Sequence, residues 1–149
     1  MTDRTSTIIV DGVRELGSAL RKTAGSTPKE IAKWHQTVAE LVAREARRRA
    51  ASRPRKTNTG RIESTIRASG TQREAAVKVG GIRGVGDAHV QEFGGRAPLF
   101  GNRSNWNQVR TPNSEGYFLY PAVRESQPTV TRIYLRGLDE AIRQYWSRV

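Results

Sequence analysis

The sequence predicts a small α+β domain: a small antiparallel sheet with a long N-terminal helix pair and a C-terminal amphipathic helix packed on it. Three observations point there. A capped stripe of apolar residues runs from Thr27 toward Arg49, a strictly alternating run covers Ala75–Val79, and a second long apolar stripe closes the chain after Pro128. A length of 149 residues fits a single domain spanning 1–149.

Residues 7–23 place Ile9, Val13, Leu16 and Leu20 at intervals of four, three and four, which is one face of an α-helix. Gly12 and Gly17 weaken that helix, and Gly25 is suited to end it. Thr27-Pro28-Lys29-Glu30 then reads as a capping box, with Thr27 as N-cap, Pro28 in the first helical position and Glu30 reaching back. Ile31, Trp34, Val38, Leu41 and Val42 continue at helical spacing, and Trp34 belongs to this core stripe.

The helix runs out into Arg44, Arg47, Arg48 and Arg49, and a basic loop at about 52–60 adds Arg53, Arg55 and Lys56. Such a run is ordinarily a solvated helix end whose charge suits the helix dipole. Its functional reading is contact with a phosphate backbone, without base selection, because no aromatic interleaving or recognition-helix pattern accompanies it.

Thr59 is placed to cap a short helix carrying Ile62, Thr65 and Ile66. The strand follows, with Ala75, Val77 and Val79 on a buried face and Glu74, Ala76 and Lys78 on the other. The glycine-rich Gly80–Gly86 lacks the order and the Gly-Lys-Ser/Thr ending of a phosphate-binding loop, and reads as a turn or a hairpin with a short second strand. Asp87 caps a brief helix, Ala88–Phe93, stopped by Gly94-Gly95. A long loop at about 95–116 holds Leu99, Phe100, Trp106 and Val109 as isolated apolar anchors, a pattern that orders against a neighbour.

Tyr117–Tyr120 suits a buried strand or a tight approach to a helix. Pro121–Glu125 reads as one or two helical turns, and Pro128 opens the last helix, buried along Val130, Ile133, Tyr134, Leu138, Ala141, Ile142 and Tyr145.

Totals narrow the function. Lys and Arg number 26 against 14 acids, a net charge of +12 with a pI near 11.1, so the field of the chain favours polyanions. Hydrophobic residues are 36% and mean hydropathy is -0.66, so the core is thin and oligomerisation would reinforce it. The chain has no cysteine, which excludes disulfides and thiolate metal sites. His35 and His89 lack a ligating pattern, so neither metal nor cofactor is expected. His89 and Glu92 are three apart and within reach on a helix, yet no nucleophile accompanies them, and carboxylates are scattered singly. No catalytic site is expected, and an enzyme such as a nuclease ranks last. The N-terminus shows no secretion signal and no run reaches membrane-spanning length, which points to a cytoplasm-like compartment and no membrane partner.

Several short motifs in order resemble a known family. Thr59-Gly60-Arg61-Ile62, the Val77-Lys78-Val79-Gly80 strand, Ala88-His89-Val90-Gln91-Glu92-Phe93-Gly94-Gly95, and Phe118-Leu119-Tyr120-Pro121-Ala122-Val123 before a closing helix are similar to the tail-completion and head–tail joining proteins of long-tailed bacteriophages. That group includes minor tail protein Z. Asp87 stands where the family has an aromatic, Gly95 where Thr is common, and Tyr120 where Arg usually precedes the proline.

The resemblance covers most of the chain and implies a structural virion protein. It would form a ring, usually six-fold, that joins the capsid connector to the tail tube in the neck, assembled in the host cytoplasm. Genomic DNA would pass without sequence preference, contacted by Arg44, Arg47, Arg48, Arg49, Arg53, Arg55 and Lys56. Glu92, Phe93, Leu99, Phe100 and Trp106 would lie at subunit interfaces. A tail-terminator ring and a free non-specific nucleic-acid-binding protein using Arg44–Arg61 are the alternatives.

Overall fold

A computed structural model describes residues 6–9, 22, 28–52, 62–81, 88–98, 106–110 and 112–147. The architecture is α+β. Strand β1 (Ser6–Ile9) is followed by the long helix α1 (Pro28–Ala51), a 3-10 turn (Ile62–Thr65), β2 (Arg67–Gly70) and β3 (Ala75–Val79). A short helix α2 (Ala88–Phe93), the strands β4 (Gly95–Pro98) and β5 (Trp106–Arg110), and the helix α3 (Leu119–Trp146) complete the chain.

β3 lies at the centre of an antiparallel sheet in the order β1-β3-β2, with Ile8 opposite Val77 on one side and Ala68 opposite Val77 on the other. Ser6–Ile9 therefore belongs to the sheet, not to a helix over 7–23. The physical reason is twofold: Ile8 and Ile9 are β-branched, and a partner strand is available in the distant β3. The rest of that expected helix lies outside the described residues, apart from Lys22, which is helical.

A hairpin precedes the glycine run, of which residues 82–86 lie outside the described residues. β3 pairs with the strand before it, β2, through a turn in which the Thr71 amide donates to the Glu74 carbonyl at 2.9 Å. The Thr71 hydroxyl accepts from the amides of Arg73 and Glu74, both at 3.2 Å, which supplies the turn without Asn or Gly at its tip. Ala75, Val77 and Val79 are buried as alternation requires, and Ala76 is buried too. A central strand flanked on both sides readily shields a single methyl.

α1 packs on the sheet, against β2 and β3, and α3 packs on α1. The buried face of α1 is Ile31, His35, Val38, Ala39, Val42, Ala43, Ala46 and Ala50, with Trp34 and Leu41 half-buried at its margins. The four alanines thin the helix and let its neighbours come close. The approach is tightest at Gly70, where a Cβ would collide with the backbone nitrogen and Cα of Gln36 and come within 2.7 Å of the His35 carbonyl carbon. Two side chains fasten the same place: Gln36 Oε1 accepts from the Gly70 amide at 2.6 Å, and His35 Nδ1 donates to the Thr71 carbonyl at 2.5 Å. Gly137 plays the matching part on α3, since a Cβ there would stand 2.9 Å from the Trp34 ring.

α3 is one helix from Leu119 to Trp146 with Pro128 inside it, where the sequence suggested a short turn and then a new helix. Pro128 cannot donate to the carbonyl of Arg124, a defect of about 3 kcal/mol in an isolated helix. Ala122, Ser126, Val130, Tyr134 and Ala141 are nevertheless buried on both sides of it, so packing carries the helix through. The long loop at 95–116 is likewise interrupted by structure: β4 and β5 pair antiparallel, Pro98 opposite Trp106 and Gly95 opposite Arg110, with an irregularity between Gly95 and Arg96. Both strands are short and contain Gly, Pro, Asn and Gln, which hid them.

Gly70→Ala is expected to destabilise the protein by about 3 kcal/mol or more, because the obstruction is backbone and not a movable side chain. Denaturant unfolding measures this, and an unchanged midpoint would disprove the close approach of β2 to α1.

Candidate functional site

Two places combine exposed or buried charge with defined geometry: the carboxylate of Glu92 and the outward side of α1. Glu92 sits on the last turn of α2 and is 3% exposed. Its Oε2 accepts from the backbone amides of Phe118 at 3.1 Å and Leu119 at 3.0 Å. Its Oε1 accepts from Leu119 at 3.1 Å and Tyr120 at 2.9 Å. These are the orphan donors at the start of α3. The next residue, Pro121, has no N–H, and the Ala122 amide then begins the helical ladder by donating to the Phe118 carbonyl at 3.1 Å. One side chain from a separate helix thus completes the whole N-terminus of α3 and places a negative charge at the positive end of its dipole.

The surrounding loop is shaped to admit that carboxylate. Asn113 donates its amide to the Phe93 carbonyl at 2.7 Å, and its side chain accepts from the Glu115 amide at 3.0 Å and donates to the Gly116 carbonyl at 3.2 Å. Gly116 has φ 80°, and a Cβ on it would strike Glu92 Oε1. Only glycine meets both demands. Phe93 packs between His89, at 5.0 Å between ring centroids, and Tyr120, at 5.1 Å. His89 thus faces Phe93 while Glu92 is taken up by α3. Expected at a subunit surface, Glu92 is instead turned into the fold because its oxygens are consumed there. Phe93 is half-buried, Leu99 and Phe100 lie outside the described residues, and Trp106 is in β5.

No local capping residue precedes Pro121: positions 117 and 118 are Tyr and Phe. A helix beginning with proline and lacking its own Ser, Thr, Asp or Asn needs an acceptor from elsewhere, and that was the signal for Glu92.

The basic end of α1 is less free than its composition suggests. Arg47 donates through Nε and Nη2 to the Ile66 carbonyl at 3.1 and 2.9 Å, and its Nη1 is 3.7 Å from Glu40. Glu45 accepts from Arg48 and from Arg49, and Arg49 also reaches Glu125 on α3. The hydrogen bond from Arg48, with help from Arg49, holds the Glu45 carboxyl down to about 2 although its partial burial opposes this. Arg44 is exposed, while Arg53, Arg55 and Lys56 lie outside the described residues. Two of the four arginines proposed for phosphate contact on α1, Arg47 and Arg49, therefore already tie elements of the fold together, while Arg48 is paired within its own helix and stays exposed.

Two further polar groups are buried without a hydrogen-bond partner: both amide atoms of Gln91 and the hydroxyl of Tyr134, whose ionisation burial pushes above the usual tyrosine range. Among the described residues no three His, Asp or Glu side chains converge as a metal ion requires, and no helix is long and apolar enough to cross a membrane. No family model, curated protein or solved structure matches the chain.

Glu92→Gln keeps the shape but turns one acceptor into a donor facing amides, and is expected to cost about 2 kcal/mol in chemical denaturation. A cost below a few tenths would sink the capping role. For Glu45, whose carboxyl is depressed in the fold, the linked stability is present above its ordinary value of 4.5 and is lost as pH falls toward 2. Removing it in Glu45→Gln should flatten the melting temperature between those limits, and an unaltered pH profile would contradict the assignment.

Proposed function

We propose that this chain is a structural component of the head–tail joint of a long-tailed bacteriophage, a ring former that joins the connector to the tail tube and lets DNA pass. The observation that carries the reading is the meeting of two motifs. The Glu92-Phe93-Gly94-Gly95 segment and the Phe118-Leu119-Tyr120-Pro121 segment, which bear most of the family resemblance, are bonded to each other through Glu92. Motifs that resemble a family and also form one physical device support common architecture more strongly than either does alone.

Surface features favour assembly. Leu135 and Trp146 are 60% and 68% exposed on α3, and Tyr120 is 42% exposed at its start. Such residues on a thin-cored chain offer apolar area for a neighbouring copy to bury. β1 and β2 are the outer strands of the sheet, and an outer edge is a natural place for pairing between subunits. The net charge of +12 suits a conduit that attracts DNA without holding any one sequence. A tail-terminator ring is a variant of the same reading.

Light scattering on the purified protein at low and high salt, alone and with the tail tube protein, tests it. A closed oligomer of fixed copy number is expected in at least one of these conditions. A persistent monomer that is absent from virions and binds duplex DNA would replace the ring with a free nucleic-acid-binding protein.

A further inference from the structure

A groove of about 470 Å³ runs along the outward side of α1, lined by Lys33, Gln36, Thr37, Glu40, Leu41, Arg44 and Arg47 with Ile133 of α3. Its composition is ordered. Leu41 and Ile133, both half-buried, give it an apolar floor. Lys33 and Arg44 are exposed and form no ion pair with any described residue. They lie three helical turns apart, roughly 16 Å along the axis. Arg47 adds a third cation held in place by the Ile66 carbonyl.

We propose that this groove is a docking site for an acidic amphipathic helix of a partner protein, with carboxylates meeting Lys33 and Arg44 and apolar side chains covering Leu41 and Ile133. Charge complementarity selects the occupant. A second copy of this chain carries +12, and beside the exposed Leu135 and Trp146 of its α3 stand Arg132 and Arg136. Of the nearby acids Asp139 is already paired with Arg143, so a second copy is a poorer match to the same cations than an acidic helix. A nucleic-acid backbone is the poorer fit as well. Glu40 stands in the middle of the row, its side chain 51% exposed, and a run of phosphates would meet that carboxylate while covering apolar floor to no gain. An amphipathic helix matches both parts, because its apolar stripe and its flanking carboxylates repeat at the spacing α1 itself presents. Gln36 Nε2 already donates to Glu40 Oε1 at 3.1 Å, which partly quiets the one misplaced charge.

The site stands apart from the ring reading, since it requires one copy and one partner helix. The probe is a synthetic amphipathic helix with glutamates three turns apart and leucines between them, titrated by fluorescence anisotropy against the full chain. A matched peptide with lysine for glutamate and a duplex DNA serve as competitors, and light scattering on the same samples records the oligomer separately. The acidic peptide is expected to bind, and the lysine peptide is not. The double variant Lys33→Glu with Arg44→Glu should weaken binding by about tenfold or more. Thr37→Tyr, which fills the groove without changing charge, should weaken it comparably. Both substitutions are at exposed helix positions, and circular dichroism checks that each variant is folded. Absence of binding overturns the proposal, as does binding that both variants leave unaltered. Binding that is lost in the charge variant but kept in Thr37→Tyr would reduce it to unspecific attraction. Displacement of the peptide by duplex DNA, with DNA binding lost in the same variants, would reassign the groove to nucleic acid.

Discussion

The capping of α3 by Glu92 is the interaction on which most of this structure depends. A helix of 28 residues starts without a capping side chain of its own, and a buried carboxylate from another element takes its free amides. Taking an ion out of water is costly unless its lone pairs are fully used. Here they are, by donors that would otherwise be buried unpaired themselves. Two penalties are removed together, which is why Gly116, Asn113 and the end of α2 are all arranged around one side chain.

The same logic explains the basic side of α1. Net charge alone pictures the arginines as a field pointing outward. In the fold, Arg47 is spent on a backbone carbonyl beside the sheet, and Arg48 and Arg49 share Glu45. Arg44 and, farther up the helix, Lys33 remain outward-facing without an ion pair to any described residue, while Arg48 is exposed but paired with Glu45. The chain therefore uses part of its positive charge as internal fastening, and its surface chemistry is more local than the total of +12 implies.

Much of this was legible in the sequence where the signal is local. The Pro28 start of α1, the alternation of Ala75–Val79, the Ala88–Phe93 helix stopped by glycines and the apolar stripe of α3 all follow from nearest-neighbour patterns. What could not be read depends on distant partners. β1 is a strand because β3 is there to receive it, and its Ile9 fits a helical stripe equally well. Among the described residues the short strands around Pro98 and Trp106 pair with each other alone, and they contain Gly, Pro, Asn and Gln, which rarely favour strands. Pro128 looked like a beginning because the packing of α1 against α3 is invisible in a linear reading. In the sequence Glu92 stands three residues from His89, whereas the first of its partners in the fold comes 26 residues later.

The absent side chain at Gly70 has a consequence for how the chain avoids error. Short hairpins of small residues slide easily, since one alignment buries nearly as much as the next. In this one, a shift of either sense would drive the Cβ of Ser69 or Thr71 into the backbone of Gln36, and would also cost His35 and Gln36 their acceptor and donor. α1 thus serves as a gauge that accepts one alignment of the hairpin and refuses its neighbours.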